Sequence, residues 1–173
     1  MLDRLIAEVQ SWSRRVLEVP CDGNQDWPVC PFASKAWASG SANVAVIDDW
    51  SDVPLEISTF LQSKYAVTVL VKLEPDEWDM EDFVENVRAA NRKWSEQNVY
   101  ILGLHPWDEN TFISSVTEEN EELDLHDEYV FLFLFRLDEL GTASRAIEEQ
   151  GYYDKWKPEI YYNVLARRKL KND

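Results

Sequence analysis

A chain of 173 residues is long enough to bury a hydrophobic core, and 45% hydrophobic residues, with 8 Trp, 7 Tyr and 7 Phe, set it apart from a disordered polymer. Seventeen Lys and Arg against 33 Asp and Glu give a formal net charge of −16, a field that repels phosphate backbones and anionic headgroups and argues against nucleic acid as a partner. No apolar run approaches the roughly 20 residues that span a bilayer, and Met1-Leu2-Asp3-Arg4 does not begin a secretion signal, so the expected setting is the cytosol, away from membranes, with Cys21 and Cys30 as reduced thiols.

Leu2, Leu5, Ile6, Val9, Trp12 and Val16 recur at helical spacing and predict an amphipathic helix over the first 17 residues, stopped by Pro20. Residues 20–42 carry Gly23, Asn24, Pro28, Pro31 and Gly40 and read as loop, with one helical turn starting at Pro31. Asn43–Asp48 is a Val- and Ile-rich strand. Ser51 or Asp52 is placed to cap a helix with Pro54 in its first turn and Leu55, Ile57, Phe60 and Leu61 inward, and Ala66–Leu73 follows as a buried strand. Met80, Phe83, Val84, Val87, Ala90 and Trp94 form the next helical stripe, and Asn98–Leu104 the next strand.

After His105 comes a long polar insert containing Glu118, Glu119, Glu121, Glu122, Asp124, Asp127 and Glu128. Tyr129–Phe135, the most continuous apolar run in the chain, reads as a central strand. Helices over about Asp138–Gln150, ended by Gly151, and about Pro158–Lys171 complete the chain. Arg167, Arg168, Lys169 and Lys171 in the last turns complement the helix dipole. Strands alternating with helices predict a single α/β domain over residues 1–173, with a mainly parallel four-stranded sheet flanked by helices and with helices at both ends of the chain.

Three landmarks resemble a known family: Cys30-Pro31-Phe32-Ala33 after the first helix, His105-Pro106 after a strand, and Arg136 closing the last strand ahead of Asn163 in the final helix. In this order they are similar to the family called domain of unknown function 1415. The family has no established activity, so the resemblance implies an order of elements along nearly the whole chain and not a reaction. Its members carry further histidines where this chain has Leu73 to Pro75 and Phe133, and an Arg-Ser-Pro-Tyr-Pro segment where this chain has the acidic insert. A site built on those groups is not expected here.

Ligands of an open parallel sheet bind beyond the carboxyl ends of its strands, which here supply Asp48, Glu74 and His105 with Trp107 and Asp108. His105, backed by Asp108, is a candidate general base; the alternative is a histidine satisfied by loop hydrogen bonds. Cys30, ahead of a helix start, is a candidate thiolate nucleophile if His105 folds beside it, or else a small buried hydrophobe. Arg136 is the candidate anion contact. A divalent metal ion would draw on Cys21, Cys30, His105 and His126, or on His105 with Glu74 and Asp48, although neither set has a recognised metal-site spacing.

Trp12 and Trp94 sit in helical stripes and read as core, whereas Trp27, Trp37, Trp50, Trp78 and Trp107 lie in loops and either wall an apolar pocket or cover the sheet. The acidic segment from Glu118 to Glu128 is a solvated loop, a lid, or a docking point for a basic protein. Two functions follow: a small enzyme with a Cys30, His105 and carboxylate site taking a small-molecule ligand, or a non-catalytic binding or accessory protein that uses its loop tryptophans and acidic insert.

Overall fold

The computed structural model describes residues 2–20, 26–108 and 128–170. Helix α1 (Leu2–Trp12) buries Leu5, Val9 and Trp12, as the spacing predicts, and continues into a π-helical turn over Ser13–Leu17. There the Glu18 N–H donates to the Ser13 carbonyl at 3.0 Å. The wider turn carries Val16 and Leu17 together onto the buried side and leaves Arg14 and Arg15 outside.

A short helix, α2 (Ala33–Ala38), occupies the predicted turn after Pro31 and leads into β1 (Ala42–Val46). Helix α3 (Val53–Gln62) starts after a tight turn that Asp49 caps, its side chain accepting from the Ser51 N–H while Asp52 accepts from the N–H groups of Asp48 and Asp49. Asp52 does hold the N-cap position of α3, one of the two the sequence offered, but its side chain turns back to Asp48 and Asp49, and the capping hydrogen bond comes from Asp49 because the extra turn starts the helical run earlier. Strand β2 (Val67–Lys72), helix α4 (Met80–Trp94) and strand β3 (Val99–Leu104) follow, and then β4 (Val130–Arg136), α5 (Leu137–Glu148) and α6 (Pro158–Lys169).

The four strands lie in the order β1-β2-β4-β3. Strand β2 pairs parallel with β1, while β4 lies antiparallel between β2 and β3, so the sheet is mixed and not mainly parallel. The reason the sequence misleads here is that β4 is apolar along almost its whole length and buried on both faces, a pattern that is the same in either direction and so does not mark a strand as parallel or antiparallel. Strands β1, β2 and β3 still run the same way, since β4 opposes both of its neighbours, and their carboxyl ends share one edge of the sheet.

Side chains alternate onto two cores. One face carries Val44, Val69, Val71, Leu104, Phe131 and Phe133 against Val9, Trp12 and Val16. The other carries Leu70, Ile101, Leu132 and Leu134 against Ile57 and Phe60 of α3 and Phe83 of α4. Trp12 is fully buried on the first face and Trp94 packs against the second, the core placements their spacing predicts. Among the described residues no helix is long and apolar enough to cross a membrane.

Gly103 of β3 sits directly beneath α4. A Cβ there would lie 2.7 Å from Phe83 Cζ and 3.0 Å from Val87 Cγ2. Gly103→Ala is expected to cost about 1–3 kcal/mol in urea unfolding, since a packed ring must shift. An unchanged midpoint would mean that α4 is free to lift off the sheet.

Candidate functional site

At the shared carboxyl edge, His105 follows β3 and is 1% exposed. Its Nε2 lies 3.0 Å from the Trp78 carbonyl oxygen and its Nδ1 3.3 Å from the Trp107 amide nitrogen. The carbonyl accepts and the amide donates, so the ring is neutral, with its proton on Nε2. It packs 5.3 Å from the Phe83 ring and 5.1 Å from Trp107. Trp50, Trp78 and Phe83 continue this aromatic cluster, with Trp50 5.5 Å from Trp78 and Trp78 6.0 Å from Phe83. Both ring nitrogens are taken, which matches the loop-satisfied alternative and leaves none directed at a substrate or metal.

Burial holds the His105 pKa below its ordinary value, outweighing the Trp78 carbonyl and the charges of Asp108 and Asp79 that raise it. An unfolded chain takes up this proton near pH 6.5, the folded one only at lower pH. The neutral ring's contribution to stability is therefore complete above about pH 6.5 and lost as pH falls. His105→Gln is expected to flatten this part of the acid-side decline in urea midpoints, and identical slopes in the two proteins would contradict the assignment.

Asp48 and Glu74 are exposed at the same edge. Glu74 is engaged by Lys72, whose Nζ lies 3.1 Å from it and also bonds Glu77. Lys72, at the end of β2, is 2% exposed although its two partner carboxylates are largely in water. No group of three or more His, Cys, Asp and Glu suited to a metal ion occurs among the described residues. The set of His105 with Glu74 and Asp48 is therefore not assembled; Cys21 and His126 of the other set, and the acidic segment from Glu118 through Asp127, lie outside the described residues.

Cys30 packs against the core of α1, β1 and β2, whereas His105 packs on Phe83 beyond the other face of the sheet. The sheet thus separates the proposed nucleophile from its base. Cys30 is a free thiol whose pKa burial raises, overriding the lowering effect of the N–H groups of Phe32 and Ala33 at the start of α2, so the expected thiolate gives way to a neutral thiol. Arg136 is at the opposite edge from His105, since β4 runs against its neighbours. Its guanidinium lies over the Phe60 ring and donates to the Ser63 carbonyl at 2.9 Å. It completes the C-terminal turn of α3 and, away from His105, lines the larger of two cavities.

Two cavities lie on the Cys30 side. A cavity of about 300 Å³ is walled by Trp12, Leu17, Ala36, Trp37, Val67 and Phe133, among others. A second of about 240 Å³ is walled by Tyr100, Leu102, Asp108, Tyr153, Trp156 and Arg167, among others. Cys30, Phe32, Phe135 and Leu140 line both, so the two adjoin. The indole N–H of Trp12, in the wall of the first, has no acceptor among the described residues. The loop tryptophans divide accordingly: Trp37 lines this space and donates to Ser13 Oγ at 2.9 Å, Trp27 meets Tyr152, and Trp50, Trp78 and Trp107 belong to the His105 edge.

Sequence reasoning singled out Cys30, Trp37, Arg136 and Asp108, which line these walls, but missed Tyr100 and Arg167 there and, away from the cavities, Lys72 and Asn91. Lys72 had a signal, being a charge inside an otherwise Val- and Leu-rich strand. No protein-family profile, curated protein or solved structure matches the chain, so its function is argued from this geometry.

Proposed function

We propose that this chain is a non-catalytic binding protein for a small, largely apolar molecule held between α1, α2, α5 and the first face of the sheet. The observation that carries the reading is the pair of adjoining apolar cavities, whose larger member falls at the lower end of the volumes typical of ligand sites. Membership of the family called domain of unknown function 1415 is part of the proposal. Cys30 and Phe32 of its tetrapeptide line both cavities and Asn163 lines the second, while His105 lines neither. The engagement of both His105 nitrogens and its separation from Cys30 favour binding over catalysis.

The test is saturable binding of the neutral fluorophore N-phenyl-1-naphthylamine. One site is expected in the folded protein, lost in Leu140→Trp, which fills the junction of the two cavities, with the unfolding midpoint retained. Absence of saturable binding, or equal binding by the variant, would refute the reading.

A further inference from the structure

Resting on that reading, we infer that the bound molecule is a carboxylate with an apolar body, its head held by Arg167 in the second cavity and its body extending toward the first. In a chain with 33 acidic and 17 basic side chains, Arg136 and Arg167 are both half-buried in the cavity walls without an acidic partner among the described residues, but the Arg136 guanidinium is held by the Phe60 and Ser63 carbonyls. Arg167 has no carboxylate partner among the described residues, and its Nε is buried without an acceptor. Its guanidinium carbon lies over the Tyr100 ring, 5.5 Å from the ring centre. The next residue shares the unmet Nε but not the missing partner: Arg168 reaches Glu148 and Ser144 Oγ, both at 2.8 Å.

The aromatic walls would otherwise suit a cation, but that role is filled from within. Arg167 faces Tyr100 and Arg168 faces Tyr153, so a cationic ligand would meet like charge against the same rings. Asp108 is the one carboxylate among the residues lining the second cavity, and it is not without a partner of its own. A planar carboxylate matches the guanidinium fork, and the shared wall of Cys30, Phe32, Phe135 and Leu140 gives its apolar body a path into the first cavity.

Displacement of N-phenyl-1-naphthylamine by decanoate, decanol and decylammonium at pH 7.5 tests the inference. Decanoate is expected to bind about tenfold tighter than decanol, with the advantage shrinking in high salt, and decylammonium weakest. Arg167→Gln should bring decanoate down to the level of decanol, while retained decanol binding shows that the fold and cavity persist; Arg167→Lys should keep part of the preference. Equal affinities of decanoate and decanol for the unaltered protein, or a preference for decylammonium, would overturn the carboxylate assignment and leave the binding function standing. Failure of all three to displace the fluorophore would overturn both.

Discussion

Replacing Asn91 with leucine is expected to destabilise the protein by about 3 kcal/mol, because two main-chain groups lose their partners at once. Asn91 lies in α4 and is 9% exposed. Its Nδ2 donates to the Ile101 carbonyl at 2.8 Å, and its Oδ1 accepts from the Ile101 N–H at 2.8 Å. Among the described residues, strand β3 is an outer strand of the sheet, paired with β4 alone. The carboxamide thus supplies at Ile101 what a further strand would, and it blunts an edge open to pairing with another chain. Leucine matches its size but leaves a buried donor and acceptor unmet, each costing about 1–3 kcal/mol. Urea midpoints check this, and a loss below about 1 kcal/mol would mean that water reaches the strand edge.

A comparable loss, about 2 kcal/mol, is expected when Glu74 and Glu77 are both changed to glutamine, because the Lys72 ammonium is then stranded. The pair is asymmetric: the Lys72 side chain is 3% exposed, and each carboxylate side chain is 63% exposed. Removing the lysine as Lys72→Met leaves two solvated carboxylates and should cost less than about 1 kcal/mol. Adding Lys72→Met to the double variant should restore most of the loss, and a triple variant no more stable than the double would contradict this account. The Glu77 hydrogen bond, followed by that of Glu74, raises the Lys72 pKa against the opposing effect of burial. Its contribution is therefore present below about pH 10.4, the ordinary lysine value, and lost as pH rises through the higher folded value.

Element positions were legible because each carries a local signal. The stripe from Met80 to Trp94 and the apolar runs of β2 and β4 appear in the structure within a residue or two of where the sequence puts them. Strand direction was less legible, since an apolar strand such as β4 reads alike forwards and backwards. The candidate site was legible in part. Direction within the sheet does gather Asp48, Glu74 and His105 at one edge, but sequence spacing does not show which face a side chain takes. Cys30 and Phe83, on which His105 packs, lie on different faces, and that keeps the thiol away from the imidazole. Arg167 was hidden because a cation in a last helical turn has a sufficient local explanation, and its stacking on Tyr100 is a contact across 67 positions of sequence.

The central claim is that the ligand occupies the Cys30 face of the sheet and not the His105 edge. The indole N–H signals of the eight tryptophans, followed by NMR during titration with decanol, separate the two directly. The account predicts that Trp12 and Trp37, which wall the first cavity, shift and saturate together while Trp50, Trp78 and Trp107 stay in place. Shifts confined to Trp78 and Trp107 would contradict it and return the site to His105.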